Sequence, residues 1–271
     1  MNQVRSIGIV IPSLTPSHIL RKCLLSIAEQ TLQPKIVVVV AQSDLAGHKG
    51  IIEGIELNVE LLFSSIGLSR SRNMGFAHIE ENCEIVGFVD ADTCIDRNYL
   101  ENVAQNLIWA DACVGRVQTQ GKARLNFSPT LTIVTKKNVW HTAIESGFFS
   151  RTVPLREVGL YAENLGLGSG TRLGSGEGTD LYCRLIKRGF KIVYVPELVS
   201  EEFVDFKAIP IRKHSSYAVG TGYVYAKHFN FFIGTLRIFA PLFSLKSSFS
   251  LARRVAVMRG RLIGFFIGLL N

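Results

Sequence analysis

Residues 85–93 read IVGFVDADT, an apolar run that leads into two aspartates spaced two residues apart. A run of this length and β-rich composition predicts a buried strand. Alternate side chains of a strand share one face, so we expect Asp90 and Asp92 to point the same way. Two like charges at the end of a buried strand are costly unless a cation lies between them. Because carboxylate oxygens favour Mg²⁺ or Mn²⁺, the stretch predicts a divalent metal site that also takes substrate phosphates, with an ordinary strand-to-loop turn as the alternative.

The composition of the 271-residue chain is that of a globular protein with an anionic partner. It is 47% hydrophobic and 19% charged, which suits one domain or a domain with an appendage. The net charge of +8 favours nucleotide phosphate, nucleic acid or an acidic membrane surface as the partner. The five cysteines lack CxxC spacing, which predicts reduced thiols in a cytosolic compartment and argues against a zinc site or a disulfide framework.

Neither a leader nor a spanning helix is expected from the apolar runs. The run that follows the first residues breaks at Pro12, which does not fit a signal peptide. No stretch reaches the about 18–20 uninterrupted apolar residues that a spanning helix needs. We therefore expect a soluble chain or one bound at a membrane surface.

The first half of the chain alternates strand-like and helix-like patterns. Residues 7–11 predict a buried strand, the helical spacing of residues 17–27 begins at the N-cap candidate Ser17, and residues 36–40 predict a second buried strand. Strand, helix, strand with apolar strands throughout indicates a parallel sheet covered on both faces, whose ligands bind beyond the carboxyl ends of the strands. Three segments are expected to converge at that edge: residues 12–13, 41–44 and 90–92.

Two further segments carry candidate functional residues. Residues 67–77, GLSRSRNMGFA, follow a strand-like segment and predict a glycine loop that leads into a basic helix start. The backbone N–H and guanidinium groups of such a segment suit binding of a phosphate group or of the edge of a base. The alternative is an ordinary capped helix on the surface. Residues 159–170 form a glycine-rich loop, after which Glu177 and Asp180 fall in the first turn of a helix that stops at Gly189. Capping of that helix alone would explain the presence of one of these two acids without a catalytic role.

The remaining elements are less sharply defined. We expect a helix over residues 96–109, strands over residues 112–117 and 192–196, and sheet-edge strands with loops over residues 126–149.

With these motifs in order, the chain resembles a family 2 glycosyltransferase of the glycosyltransferase-A fold. Four segments carry the resemblance over roughly residues 5–205: VIPS at 10–13, GLSRSRN at 67–73, DAD at 90–92 and GEGTDL at 176–181 with Arg184. The fold it implies is α/β, with a mostly parallel central sheet flanked by helices. The reaction it implies is inverting sugar transfer from a nucleoside-diphosphate sugar, with Mn²⁺ or Mg²⁺, to a glycan or polyprenyl-linked acceptor in bacterial polysaccharide biosynthesis.

The resemblance also implies roles for particular residues. Asp92 corresponds to the metal ligand at the donor diphosphate, and Asp90 to a residue near the ribose or the metal. The expected nucleotide-sugar-binding positions are Pro12, Ser13, Ser43, Gly67, Ser69, Arg72, Asn73 and Asp90.

Three departures from the family pattern bear on the site. Ala41 stands where the family often has a base-binding acid, so Ser43 or Asp44 is the expected substitute. Gly178 stands in the catalytic-base motif, which leaves Glu177 as the first candidate for the base and Asp180 as the second. Where many members place a metal-binding histidine, this chain has Glu202, whose oxygens also suit a hard cation.

Beyond the predicted catalytic domain, residues 1–205, lies a basic and apolar helical tail, residues 206–271. Amphipathic helices of this kind lie in membrane interfaces that carry anionic lipid, or pack on their own domain with arginines reaching water. Since the resemblance implies polyprenyl-linked acceptors, we expect peripheral binding at the cytoplasmic face of the inner membrane.

Other functions fit less well. A nucleotidyltransferase needs a glycine-rich phosphate loop after the first strand, and a dinucleotide oxidoreductase needs GxGxxG there; residues 12–16 are neither. No nucleic-acid recognition module is visible. A degenerate transferase kept as a binding or assembly subunit stays open because of Ala41 and Gly178.

Overall fold

The computed structural model describes residues 6–125, 127–203, 211–243 and 250–270. The strands are β1 (Ile7–Ser13), β2 (Ile36–Ala41), β3 (Val59–Phe63), β4 (Ile85–Phe88), β5 (Thr93–Ile95), β6 (Ala112–Thr119), β7 (Lys122–Ala123), β8 (Thr132–Ile133), β9 (Phe148–Arg151) and β10 (Ile192–Glu202). The helices are α1 (His18–Ala28), α2 (Leu45–Ile52), α3 (Leu68–Ile79), α4 (Tyr99–Asn106), α5 (Val139–Thr142), α6 (Thr152–Val158), α7 (Glu177–Lys187), α8 (Ile211–His228), α9 (Phe231–Phe243) and α10 (Leu251–Leu270).

These elements form two compact units. The first unit contains the whole sheet and takes the described residues of 6–66, 70–160 and 181–203. The second takes residues 67–69 and 161–180 together with the described part of the tail. The predicted boundary between residues 205 and 206 lies outside the described residues.

The sheet of the first unit is mixed. Its order is β3-β2-β1-β4-β9-β6-β10-β5, with β7 on β6 and β8 on β10. The first four strands are parallel to one another, as the strand–helix–strand pattern predicted, while β9 runs antiparallel to both of its neighbours. The α/β fold with a central sheet flanked by helices is therefore confirmed.

Local sequence explains why α1 covers this sheet. Ser17 caps α1 by accepting a hydrogen bond from the backbone N–H of Leu20 at 3.1 Å, as predicted. The helix buries Leu20, Cys23, Leu24 and Ile27, whose spacing places them on one face against the strands. Burial of this face stabilises the layer by about 1.5–3 kcal/mol for each large aliphatic side chain.

The two aspartates lie in a turn rather than on a strand. β4 ends at Phe88, and the N–H of Thr93 donates to the carbonyl of Asp90 at 3.0 Å, which closes the turn before β5. The prediction that Asp90 and Asp92 lie on the strand is wrong, because pairing of β4 with β1 stops beside Val10 and the chain turns back toward β10.

Three other predictions needed correction. β10 runs on to Glu202, well past Pro196, because its register against β6 shifts between Tyr194 and Val199 and accommodates a residue without an N–H. β9, which begins at the end of the segment expected to hold sheet-edge strands and loops, lies in the middle of the sheet between β4 and β6. The helix expected over residues 96–109 is the shorter α4.

The second unit is built on close packing of α10 against α8. A methyl group at Gly264 would lie 1.7 Å from the carbonyl oxygen of Val219, and one at Gly222 would lie 1.9 Å from that of Arg261, so only glycine allows this approach. The prediction that the tail is helical is thus confirmed for its described residues. Among the described helices, none combines the length and apolar character needed to cross a bilayer.

Candidate functional site

The carboxyl ends of β1, β2 and β4 meet at one edge of the sheet, as predicted. Ser13 pairs with Ala41, and the N–H of Val89 donates to the carbonyl of Val10 at 3.1 Å. Pro12 pairs with Val40 just inside this edge. The loops at this edge are the places where ligands of parallel sheets bind.

The β1 and β2 loops are joined by a histidine that sequence reasoning missed. His48, which is fully buried on α2, places Nε2 2.9 Å from the Ser13 hydroxyl and Nδ1 2.9 Å from the Asp44 carbonyl. The Ser43 hydroxyl donates to the carbonyl of Leu14, and the Asp44 carboxylate accepts from the N–H of Gly47 at 3.0 Å to cap α2. Both substitutes for the base-binding acid are therefore engaged in holding these loops.

Arg72 reaches the acidic turn from α3. Its Nη2 donates to Oδ1 of Asp90 at 2.7 Å, with the arginine side chain only 1% exposed and the aspartate side chain 29% exposed. A buried guanidinium needs a carboxylate partner, so this ion pair ties α3 to the turn. Asn73, the next residue of α3, is half-buried.

Three carboxylates lie close enough to feel one another's charge. Burial raises the pKa of Asp92 above its ordinary value, the charge of Asp90 raises it further, and Arg124 opposes both. Burial raises the pKa of Glu202 to about 7; Arg124 opposes this, while the charges of Asp90 and Asp92 add to it. Glu202 arrives here because it pairs with Thr93 across β10 and β5.

Arg124 is a second site residue that sequence reasoning missed. Its Nη1 donates to both carboxylate oxygens of Glu202 at 2.7 Å. It follows the β6–β7 hairpin, far in sequence from every motif, and no local pattern marks it. The first unit thus brings together Asp90, Asp92, Glu202, Arg72 and Arg124.

The donor chemistry of this cluster fits a hard divalent cation. The observation that supports this fit is the raised pKa of Asp92. Burial beside the charge of Asp90 makes ionisation of Asp92 costly, and a bound cation would remove that cost. Among the described residues, no group of three or more histidines, cysteines or acids is arranged to hold a metal by itself. The cluster therefore fits the mode in which one or two carboxylates bind Mg²⁺ or Mn²⁺ together with substrate phosphates.

In the second unit, residues 67–69 are held against the glycine-rich loop. The N–H of Leu68 donates to the carbonyl of Leu167 at 2.9 Å, and the buried Ser69 hydroxyl donates to the carbonyl of Leu165 at 2.8 Å. Gly67 precedes this anchored turn. The predicted positions Gly67 and Ser69 thus shape a loop, and Ser69 does so through its side chain.

The two candidate bases lie in the first turn of α7 and have different surroundings. Glu177 is buried against Gly166, where a methyl group would lie 2.9 Å from the Glu177 carboxyl carbon. Asp180 is also buried, and its Oδ1 lies 2.6 Å from Nε2 of His228. His228 ends α8, 48 residues along the chain, and sequence reasoning missed it because no motif contains it.

Arg184, quoted above with the fourth motif, has a structural role in the first unit. Its guanidinium donates to the carbonyls of Val158 and Leu160, and so fixes the C-terminal end of α6 against α7. Satisfying carbonyls at a helix end in this way stabilises the terminus.

Comparison with known proteins agrees with this architecture. The family described as "Glycosyl transferase family 2" matches residues 8–154. "Glycosyltransferase GlyA" of Streptococcus pneumoniae serotype 4 is 34% identical over 115 residues, which is 40% of this chain and 16% of that protein. The chain thus spans about a sixth of that relative's length.

Solved structures resemble the chain in fold. TarS 1–349 of S. aureus in complex with UDP-GlcNAc has a TM-score of 0.63 at 17% identity, over 97% of this chain and 73% of that one. GalNAc-T7 with UDP, GalNAc and Mn²⁺ has a TM-score of 0.62 at 14% identity, over 84% of this chain and 51% of that one. The family match covers more than half of the sequence, so the chain belongs to glycosyl transferase family 2.

Proposed function

We propose that this chain transfers a sugar from a nucleoside-diphosphate sugar to a hydroxyl group of a glycan or lipid-linked acceptor. The observation that carries the proposal is the acidic turn at the carboxyl edge of the parallel strands, with two arginines beside it, in a family 2 chain. Such an arrangement suits a diphosphate that is bound through a cation and flanked by guanidinium groups. The structural relatives TarS and GalNAc-T7 were solved with UDP-GlcNAc and with UDP, respectively.

A divalent cation, Mn²⁺ or Mg²⁺, would be held by Asp92 with Asp90 or Glu202 and would supply positive charge to the leaving diphosphate. Arg72 keeps the Asp90 carboxylate in place through their 2.7 Å ion pair. Arg124 does the same for Glu202 through both carboxylate oxygens. Fixing these carboxylates in advance lowers the reorganisation that donor binding requires.

The nucleotide part of the donor is assigned to the loops at the strand ends. The end of β1 carries Pro12 and Ser13, and the loop after β2 carries Ser43. The loop and helix start that the sequence assigns to the donor contain Gly67, Ser69 and Asn73. The buried His48 contact with Ser13 supports a rigid nucleotide-holding loop.

A carboxylate of α7, Glu177 or Asp180, is proposed to take the proton of the acceptor hydroxyl. Direct attack of that oxygen on the anomeric carbon, with departure of the diphosphate from the opposite side, inverts the configuration. Both acids are buried in the first turn of α7, at the positive end of the helix dipole.

The second unit is proposed to dock on an anionic membrane surface at the cytoplasmic face of the inner membrane, where polyprenyl-linked acceptors of bacterial polysaccharide synthesis are found. The α9 face formed by Phe232, Leu236, Phe239 and Phe243 is exposed, and these residues recur at helical spacing. Arg253, Arg254 and Arg259 of α10 supply positive charge for anionic headgroups.

The function is tested by release of nucleoside diphosphate from a panel of UDP-, GDP- and dTDP-sugars with Mn²⁺, with membrane lipid extract as acceptor. We expect release from one donor, loss of it in Asp92→Asn, and no change in Glu101→Gln, a control at an exposed position of α4. Parallel assays of Glu177→Gln and Asp180→Asn identify the base. If no donor is turned over while nucleotide binding persists, the chain is a degenerate binding subunit.

A further inference from the structure

We infer that His48, a buried histidine of α2, is a positioning residue for the donor nucleotide, and that it acts by holding the hydroxyl group of Ser13. The inference deepens the proposed function and rests on it. It gives Ser13 a supporting part: its side chain fixes the β1 loop from inside, and the exposed part of that loop meets the nucleotide.

The imidazole of His48 bridges the ends of two parallel strands. It is fully buried, with Nε2 2.9 Å from the Ser13 hydroxyl at the end of β1 and Nδ1 2.9 Å from the Asp44 carbonyl in the loop after β2. Ser13 itself pairs with Ala41, the last residue of β2. Because ligands of parallel sheets bind beyond these strand ends, one side chain of α2 touches both loops assigned to the nucleotide.

The chemistry of the two neighbours fixes the direction of both hydrogen bonds. A carbonyl oxygen only accepts, so Nδ1 carries the proton that is donated to Asp44. The neutral imidazole then has its lone pair at Nε2, which accepts the hydroxyl proton of Ser13. The carbonyl of Thr15, 3.2 Å from the same hydroxyl oxygen, is the more distant of its two acceptors. Since Ser13 is only 1% exposed, its hydroxyl is engaged inside the protein and is not presented to a ligand.

Two further contacts join the same loops through the backbone. The N–H of Gln42 donates to the carbonyl of Ser13 at 2.9 Å, and the Ser43 hydroxyl donates to the carbonyl of Leu14. These contacts tie the β1 loop to the β2 loop, and His48 adds the hold of α2 on the Ser13 side chain. The two loops and the start of α2 therefore form one hydrogen-bonded bracket at the edge of the sheet.

The Asp44 end of this bridge is held more than once. Asp44 has a left-handed backbone, with φ +32°, a conformation that persists outside glycine only where neighbouring contacts hold it. Its carbonyl accepts from the backbone N–H of His48 at 3.1 Å as well as from Nδ1, and its carboxylate accepts from the N–H of Gly47. Loss of the Nδ1 donor thus leaves Asp44 anchored, whereas loss of Nε2 removes the grip of α2 on Ser13. The Ser13 contact is the one through which His48 acts on the donor site.

The part of the β1 loop that follows Ser13 is the part open to a ligand. Leu14 is 53% exposed, and Thr15 is also exposed. A loop that is fixed before its ligand arrives loses less conformational freedom on binding, which raises affinity. His48 should therefore act on affinity for the nucleotide and leave the step at the anomeric carbon unchanged.

The test measures binding, with Mn²⁺, of whichever of UDP, GDP and dTDP the wild type binds most tightly. His48→Leu removes both side-chain hydrogen bonds, and we expect Kd and the donor KM to rise about 10-fold while kcat stays within about twofold. His48→Gln places an amide near the position of Nε2 and should recover most of the affinity. His48→Asn places its amide near Nδ1 and should behave like His48→Leu. His78→Leu is the matched control: it removes a 2.6 Å histidine contact to Glu60 in the same unit and should bind like the wild type.

A double-mutant cycle separates support of the loop from direct contact with the nucleotide. Ser13→Ala should raise Kd as much as His48→Leu does, and the double variant should bind no more weakly than either single variant. Additive losses, or a much larger loss for Ser13→Ala, would overturn the inference because Ser13 would then contact the nucleotide itself. A lower Tm in His48→Leu with unchanged affinity would overturn it too, since a histidine that only stabilises the fold alters melting alone. A wild type that binds none of the three diphosphates would instead refute the proposed function.

One measurement is independent of nucleotide binding. ¹⁵N NMR of the imidazole should show the proton of His48 at Nδ1, with an Nε2 signal that shifts in Ser13→Ala and not in His78→Leu. A proton at Nε2, or a signal indifferent to Ser13, would refute the arrangement even if the chain proves to be an active transferase.

Discussion

Replacing two phenylalanines on the exposed face of α9 should weaken membrane binding by a factor that follows from their exposure. Phe232 is 72% exposed and Phe243 is 78% exposed. Full burial of a phenylalanine side chain contributes about 1.5–3 kcal/mol, so the exposed three quarters of each ring adds about 1–2 kcal/mol when it enters a bilayer interface. Phe232→Ser with Phe243→Ser removes about 2–4 kcal/mol, which corresponds to a partition coefficient lower by about 30- to 1,000-fold.

The assay is co-sedimentation with vesicles of phosphatidylglycerol and phosphatidylcholine at several ratios. Wild type should bind more tightly as the anionic fraction rises, because the tail is basic, and added salt should weaken that dependence. Ile108→Ser replaces a similarly exposed apolar residue of the first unit and should leave binding unchanged. If the double variant binds like the wild type, the α9 face does not contact lipid; self-association that the variant abolishes would make a second copy its partner.

Three further predictions concern stability. In metal-free protein, burial raises the pKa of Glu202 to about 7 from an ordinary value of 4.5. The free energy of unfolding should therefore fall by about 1–3 kcal/mol as pH rises from about 4.5 to 7, because the folded state favours the protonated carboxyl group. Glu202→Gln lacks this titrating group and should flatten the resulting fall in Tm. Gly87→Ala should lower stability by about 1–3 kcal/mol because its Cβ would lie 2.0 Å from the Phe149 ring, whereas Gly50→Ala, which meets no atom within 4 Å, should be neutral or stabilising in thermal melts. Gly166→Ala and Gly170→Ala impose similar positive-φ strain, so the larger loss of Tm expected for Gly166→Ala reports its collision with Glu177; equal losses would argue against that contact.

The sequence predicts best those parts of the fold that depend on local patterns of residues. The apolar runs of β1 and β2, the Ser17 cap and the glycine after α7 each depend on neighbouring residues, and each prediction agrees with the structure. Convergence of the strand ends follows from parallel pairing, which the strand–helix–strand order favours. These features require no knowledge of distant contacts.

Distant pairing sets the positions of several site residues, among them Arg124 and His228, which sequence reasoning missed. Glu202 joins the acidic turn only because β10 continues past Pro196 to pair with β5, and Arg124 reaches it from a hairpin with no motif. His228 meets Asp180 across 48 residues through helix packing set by glycines. The strand periodicity of residues 85–93 also misplaced the aspartates, because the site lies where the strand pairing ends.

The central claim is that the turn at Asp90 and Asp92 holds a nucleoside diphosphate through a divalent cation. Isothermal titration of UDP into the protein, with Mn²⁺ and then with EDTA, tests it directly for wild type and Asp92→Asn. We expect affinity to fall by about 10- to 100-fold on chelation and on substitution alike, as for loss of a charged contact. Equal affinity for UDP under all of these conditions would contradict the claim.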